Sequence, residues 1–323
     1  MKPGLFAKTV RPAILTVSRS DGVRRAAQRL PVTNKVVHRF VPGETLDDIM
    51  NSVAALRSSG RLVSVDYLGE DVTDVGGAKA TMRAYLELLS ALADRPDATH
   101  NGVRPLEVSL KLSALGQALH RDGSKVALEN AHTICARAEP AGVWVTVDAE
   151  DHTTTDSTLS IAADLRAEYP WLGVVLQAYL RRTLGDCEHA AATGARIRLC
   201  KGAYDEPVSV AYRDAEEVTD SYLRCLRVLM AGSGYPMVAS HDPVIVEAAT
   251  VLADEYGRGA ERYEHQMLYG INDDVQRRLT RAGSRLRVYV PFGAQWYGYF
   301  MRRLAERPAN LAFFMHALTQ RER

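Results

Sequence analysis

Eight short β-branched or apolar runs recur along this chain, and the spacing leaves room for about one helix between each run and the next. They lie at 62–67, 106–111, 143–148, 174–177, 196–200, 237–240, 263–267 and 286–290. A strand followed by a helix and another strand rejoins its own sheet in parallel, by a crossover of fixed hand. Eight such units over roughly 250 residues are the size of a closed (βα)8 barrel, whereas an open doubly wound sheet stops near five or six strands. The chain is therefore expected to be α/β, a (βα)8 TIM barrel with N-terminal helices. The barrel is assigned to 61–323, and 1–60 to a basic helical arm.

Composition agrees with a large buried core, since the 323 residues are 46% apolar with a net charge of +1. No apolar run approaches the roughly 18 residues a membrane span needs. Cys135, Cys187, Cys200 and Cys225 show neither pairing nor metal-like spacing, the pattern of a reducing, cytoplasmic protein with no structural metal. Charge is concentrated at the start: residues 1–40 hold nine Lys or Arg against the single acid Asp21. Lys8, Arg11 and Arg19 interrupt the arm's apolar residues too often for a secretory signal. Three readings stay open for it: a transit-like segment, a pair of exposed helices, or a basic surface resting on the anionic face of a membrane.

The ends of the eight runs are unusually polar. Asp66 and Glu70, Lys111 and Ser113, Asp148 and Glu150, Gln177 and Tyr179, Arg198 and Lys201, Ser240 and His241, Glu264 and Gln266, and Tyr289 all sit there. In a barrel these residues converge on one mouth, where such folds place their chemistry. Lys111 in SLKLS and Arg198 in RIRLCKGAY carry charge within strands, where burial without a partner is costly. Several chemistries fit this set. Lys111 or Lys201 could form a Schiff base, and His241 with Asp242, Asp148, Glu150 and His152 could suggest a metal-dependent lyase, though only one histidine stands at a strand end. A barrel that merely binds amino acids is a third reading. No GxGxxG follows a strand and no GxxxxGK[ST] occurs, which disfavours the common nucleotide folds. KGAY from Lys201 still offers a cation, exposed backbone and an aromatic to a pyrophosphate.

After the last run, Pro291 and Gly293 are expected to break the strand, and 295–306 has helical periodicity. Trp296, Phe300 and Leu304 share its apolar face; Tyr299, Arg302, Arg303 and Glu306 line another. Paired arginines on a helix match a carboxylate bidentately, and the competing reading is a solvated stripe closed by Glu306.

Seven segments in order resemble the proline dehydrogenase family over about residues 40–315. They are SLKLSAL from Ser109, VTVDAED from Val145, QAYLRRT from Gln177, RIRLCKGAY from Arg196, ASHD from Ala239, YEHQMLYG from Tyr263 and VYVPFGAQWYGYFMRRLAERPAN from Val288. The resemblance implies a distorted barrel that oxidises L-proline to Δ1-pyrroline-5-carboxylate, passing hydride to FAD and electrons to a quinone. It implies that Lys111, Arg302 and Arg303 grip the substrate carboxylate while Leu268, Tyr289 and Tyr299 enclose the ring. Asp148 and Arg198 match the family's active-site acid and the arginine beside the reactive flavin nitrogen. Gln177, Lys201, Gly202, Ala203, Ser240 and His241 match FAD contacts, with Ala149 and Tyr204 adjacent. Glu70 matches a carboxylate that pairs with an arginine of the last helix as a gate, and the resemblance points to Arg302 as its partner. Tyr289 is associated with proline rather than hydroxyproline.

One departure stands after KGAY, which is followed by Asp205, Glu206 and Pro207 where many relatives of this family have an apolar or aromatic residue before the glutamate, a residue that can lie near the adenine. Neither the DNA-binding arm nor the aldehyde dehydrogenase domain of bifunctional members is recognisable. The resemblance therefore implies no nucleic-acid partner, and a separate pyrroline-5-carboxylate dehydrogenase as transient partner. It is compatible with a cytoplasmic enzyme peripheral on the inner face of an energy-transducing membrane.

Overall fold

The structure, a computed structural model, describes residues 37–93 and 102–306. Eight parallel strands close into a barrel in chain order: β1 (Leu62–Tyr67), β2 (Leu106–Leu110), β3 (Trp144–Val147), β4 (Gly173–Gln177), β5 (Arg196–Cys200), β6 (Tyr235–Ala239), β7 (Glu264–Leu268) and β8 (Leu286–Phe292). The helices among the described residues are α1 (Leu46–Ser58), before the barrel, then α2 (Val75–Ala93), α3 (Gly123–Ala138), α4 (Thr155–Glu168), α5 (Thr183–Ala192), α6 (Ala215–Ala231), α7 (Pro243–Glu255), α8 (Asp273–Arg281) and α9 (Trp296–Glu306). One follows each strand, as the expected (βα)8 architecture requires. No described helix is long and apolar enough to cross a membrane.

Two prolines extend strands beyond their expected ends. Pro236 is the second residue of β6, opposite Ile197, and Pro291 continues β8 opposite Asp66. Proline cannot donate to a ladder, so a strand tolerates it where one neighbour is missing. The pairing of β6 with β7 begins only at Met237, and that of β7 with β8 ends at Tyr289. Each proline thus faces a single strand, and β8 runs on to Phe292 rather than breaking at Pro291.

Strand residues alternate between two environments. Val63, Val65, Val108, Leu110, Val145, Val147, Ile197, Leu199, Val288 and Val290 turn outward into the apolar layer under the helices. Their neighbours, Ser64, Asp66, Glu107, Ser109, Arg196, Arg198, Glu264, Gln266 and Arg287, are buried polar residues that bond to one another inside the barrel. Barrel interiors are usually filled by branched apolar side chains. Here the interior is a polar network from base to mouth.

The end of the arm is part of this body. Thr45 caps α1 in a capping box with Asp48, and Ile49, Val53 and Leu56 of α1 join the main core. Val37, Phe40 and Val41 pack with Leu68, Ile271, Trp296, Tyr297, Tyr299 and Phe300, so the segment before α1 seats the first turns of α9. The basic stretch 1–36, with its transit, exposed-helix and membrane readings, lies outside the described residues, as do 94–101 and 307–323.

Gly270 shows how close that seat is. Its φ is +71°, and a Cβ there would stand 1.6 Å from the Arg39 carbonyl oxygen. Gly257, at φ +60°, has open space around it. Gly257→Ala should cost about 1–2 kcal/mol from the left-handed backbone alone, whereas Gly270→Ala should cost more by displacing the 37–41 segment. Thermal unfolding of the two variants checks the order; an equal loss would contradict it.

Candidate active site

The site is built upward from the barrel floor. At the base, Arg287 is bidentate to Glu264 (2.6 and 3.1 Å) and also donates to the Val63, Pro105 and Arg104 carbonyls. Arg196 donates to Glu107 at 2.6 Å and lies 3.6 Å above the Trp144 ring. One layer higher, Arg198 gives Nε to Gln266 (2.6 Å), Nη1 to Ser109 (2.7 Å) and Asp148 (2.8 Å), and Nη2 to Ser64 (3.2 Å) and Glu107. Burial alone would raise the Glu107 carboxyl, but Arg287, Arg198 and Arg196 together hold it well below the usual carboxylate range. Burial likewise opposes the charge on Arg198, and Glu107 and Asp148 overcome it.

At the mouth, Lys111 lies one residue beyond β2 and Asp148 one beyond β3. Lys111 Nζ reaches Asp66 at 2.6 Å and stands 3.8 Å from Asp148. Burial works against its charge, but Asp66 and Asp148 prevail and keep it protonated. Tyr289 of β8 sets its hydroxyl 2.7 Å from Asp66 Oδ2 and 2.9 Å from Asp148 Oδ2. A phenol has one proton to give, so it serves one of these oxygens unless a carboxyl holds a proton of its own. Burial raises the Asp66 carboxyl and Asp148 adds to that rise, while Lys111 opposes it.

Above this floor, α9 supplies the other cations. Arg302 is bidentate to Glu70, with Nη1 at 2.9 Å from Oε2, and its guanidinium lies 5.7 Å from the Tyr204 ring centre. Burial would raise the Glu70 carboxyl; Arg302 first, then Lys111 and Arg303, bring it below its ordinary value. Arg303 is buried and stacks 5.0 Å from the centre of Tyr299. Tyr299 belongs to the apolar cluster that includes Trp296 and Phe300, so these residues of two helix faces share one buried environment.

The remaining residues occupy the opposite sector, at the ends of β4, β5 and β6. Gln177 gives its amide to the Glu150 carbonyl at 2.8 Å. Lys201 bonds Asp242 (2.7 Å) and Thr219 (2.9 Å) and stays half-exposed. Gly202 has φ +105°, and a Cβ there would stand 2.2 Å from the Tyr179 ring, so this bend requires glycine. Ala203 and Tyr204 follow, half-buried, and Ala149 is half-buried beside Asp148. Ser240 accepts the Asp242 N–H at 3.1 Å. His241 Nε2 accepts the Leu268 N–H at 3.0 Å, which in the neutral ring places the proton on Nδ1. Leu268 itself sits at the end of β7 between the two sectors.

Sequence reasoning passed over Glu107 and Ser109, the two residues that orient Arg198 from below. The signal was present as alternation: Glu107, Ser109 and Lys111 are every second residue of LEVSLK, as are Arg196 and Arg198 of RIR. Glu206, noted only as a departure, is buried and accepts from the His152 backbone (2.9 Å) and Tyr179 (3.3 Å), while Asp205 faces outward to Arg213 at 2.6 Å. The metal-dependent reading lacks a donor set, because no group of three or more His, Cys, Asp or Glu among the described residues is arranged to hold a metal ion.

Glu150 is a buried acid of another kind. It accepts from the Ser113 hydroxyl (2.5 Å) and backbone (3.1 Å), and burial, with Glu70 nearby, pushes its carboxyl up to about 7 despite those bonds and Lys111. The folded chain then keeps a proton that the unfolded chain loses from pH 4.5 upward. Stability should fall as pH rises from about 4.5 to about 7 and level off above, for a total of about 3 kcal/mol. Glu150→Gln should remove that fall, so variant and wild type should diverge in thermal midpoint between pH 5 and 8. Parallel pH dependences would contradict the assignment.

Comparison with known proteins agrees with this geometry. The family model described as proline dehydrogenase matches residues 49–316. The chain is 36% identical over 312 residues to a proline dehydrogenase of Deinococcus radiodurans, covering 95% of this chain and 97% of that one. It is 35% identical over 283 residues to proline dehydrogenase 2 of Bacillus subtilis, covering 88% and 90%. The fold is similar, with a TM-score of 0.78 and 26% identity, to the crystal structure of proline utilization A from Bdellovibrio bacteriovorus inactivated by N-propargylglycine; the match covers 85% of this chain and 33% of that one. A barrel floored by buried arginines, a mouth that gathers Lys111, Asp148 and Tyr289 under Arg302 and Arg303, and these matches along nearly the whole length together place the chain in the proline dehydrogenase family.

Proposed function

We propose that this chain oxidises L-proline to Δ1-pyrroline-5-carboxylate with FAD as hydride acceptor, the first step of proline catabolism, and passes the electrons to a quinone. The observation that carries the reading is the pairing, at one mouth, of a cationic trio with an aromatic wall. Lys111, Arg302 and Arg303 would bind the carboxylate of proline, and Tyr289, Tyr299 and Leu268 would enclose its apolar ring. A buried anion is favourable only where charge and hydrogen bonds compensate its lost hydration, and this trio provides both.

The dinucleotide is supported by the donor set of the opposite sector. Lys201 is half-exposed and Gly202, at φ +105°, turns the backbone closely past Tyr179 next to it, a cation and a glycine bend suited to a pyrophosphate. Gln177, Ser240, His241, Ala149, Ala203 and Tyr204 complete the residues that would line it. FAD, when bound, supplies the two-electron redox chemistry; the chain supplies orientation and electrostatics. Arg198, oriented by Asp148, would stabilise negative charge arising during hydride transfer. No side chain is assigned as general base: the neutral amine of proline releases hydride most readily, so kcat/KM should rise with pH as the substrate deprotonates.

The product is a cyclic imine that opens in water to an aldehyde, so an aldehyde-oxidising pyrroline-5-carboxylate dehydrogenase is the natural transient partner. A quinone acceptor places the enzyme at a membrane surface, and the basic arm suits such a position on the cytoplasmic face.

Arg303→Met should raise KM for proline by about 10- to 100-fold with a smaller effect on kcat, because it leaves the bound carboxylate short of a charged partner. An unchanged KM would remove Arg303 from the substrate site. Tyr289 should make the enzyme prefer proline to hydroxyproline, and Tyr289→Ser should narrow that preference. Comparable kcat/KM for both substrates in the wild type would contradict the role of the phenol.

A further inference from the structure

The gate carboxylate Glu70 lies in the loop after β1, and the two residues following it are fastened to Ser113. The Asp71 N–H donates to Ser113 Oγ at 3.0 Å, and the Val72 N–H donates to the Ser113 carbonyl at 3.2 Å. Asp71 adopts φ +54°, a left-handed conformation that a non-glycine residue holds only when its surroundings impose it. Ser113 opens a 3-10 turn (Ser113–Leu115) just beyond β2, and both its hydroxyl and its backbone N–H donate to the Glu150 carboxyl. Glu150 is buried, stands two residues past Asp148, and its own carbonyl accepts from Gln177.

A single residue therefore sits between the loop that carries the gate, through its carboxyl on Ser113, and the residue at the end of β4 that would meet the flavin, through its backbone carbonyl. We propose that Glu150 is a positioning residue for substrate capture: it clamps Ser113, and Ser113 in turn holds Asp71 and Val72 so that Glu70 stands within reach of Arg302. The proposal rests on the reading of Glu70 and Arg302 as the gate over the bound substrate. The serine hydroxyl is suited to the task because it donates to Glu150 and accepts from Asp71 at once. Alanine would leave the carboxyl with one donor and remove the hydroxyl that accepts from the Asp71 N–H. In Glu150→Gln the amide oxygen can accept from the Ser113 N–H while the amide N–H donates to Ser113 Oγ, whose second lone pair remains for the Asp71 N–H, so the contacts can be kept with one bond reversed.

Kinetics with L-proline on the flavin-loaded full chain, joined to amide hydrogen exchange over residues 68–74, test this. Ser113→Ala and Glu150→Leu should raise KM about tenfold with kcat within about twofold, and Glu150→Gln should restore KM to within about threefold of wild type. In a Glu70→Ala background, Ser113→Ala should add less than about twofold, because both changes act on one element. Exchange at Asp71 and Val72 should quicken in Ser113→Ala without substrate, a readout independent of turnover. Unchanged exchange, or a full tenfold effect retained in the Glu70→Ala background, would overturn the proposal. Glu70→Ala with an unchanged KM would remove the gate reading and the proposal with it. That result is distinct from failure of the clamp alone, in which Glu70→Ala raises KM and Ser113→Ala does not.

Discussion

A guanidinium sealed inside a barrel needs a partner for every N–H, and Arg198 finds them on five other residues. Ser64, Glu107, Ser109, Asp148 and Gln266 come from β1, β2, the end of β3 and β7, so one side chain on β5 ties together strands from around the ring. Four cations, Arg196, Arg198, Arg287 and Lys111, interleave with four acids, Glu107, Glu264, Asp66 and Asp148. Removing water from each of these charges costs several kcal/mol, and only mutual pairing offsets it. The arrangement is accordingly all or none: deleting a single partner strands its neighbour and costs about 3–5 kcal/mol. An apolar interior would be simpler to stabilise. A charged one fixes the direction in which Arg198 and Asp148 point.

That direction explains why the mouth is chemically asymmetric. One sector, formed by the ends of β2 and β8 with α9, gathers cations and aromatic rings at a scale that suits a small amino acid. The other, at the ends of β4 to β6, combines the half-exposed Lys201 and the glycine bend after it with the buried polar groups of Gln177 and Ser240. Arg198 and Asp148 stand beneath the boundary between them, where a substrate carbon and an acceptor ring would meet. Seating α9 on Val37, Phe40 and Val41 completes the construction from the far end of the described chain.

Much of this was legible because barrels translate position along a strand into position in space. The polar residues ending each run had to converge once eight parallel units were counted, and Asp66, Lys111, Asp148 and Tyr289 do. The interior was harder to read. Glu107 and Ser109 lie among apolar neighbours, and only a period-two reading separates LEVSL into an outward apolar edge and an inward polar one. Pro291 misled the boundary of the last strand because proline's missing N–H costs a ladder bond only where a neighbouring strand would accept it, and register is not visible in the chain. The fastening of Glu70's loop by Ser113 was equally hidden, since it depends on a left-handed turn at Asp71 and on a carboxyl from a third strand's loop.

The central claim is that the two sectors place proline against a flavin. The most direct measurement is the absorbance spectrum of the purified protein during anaerobic titration with L-proline. The account predicts a yellow protein whose flavin band bleaches stoichiometrically as pyrroline-5-carboxylate forms. A protein that takes up no flavin, or whose flavin band is unmoved while proline is bound or trapped as a borohydride-reducible adduct, would contradict it.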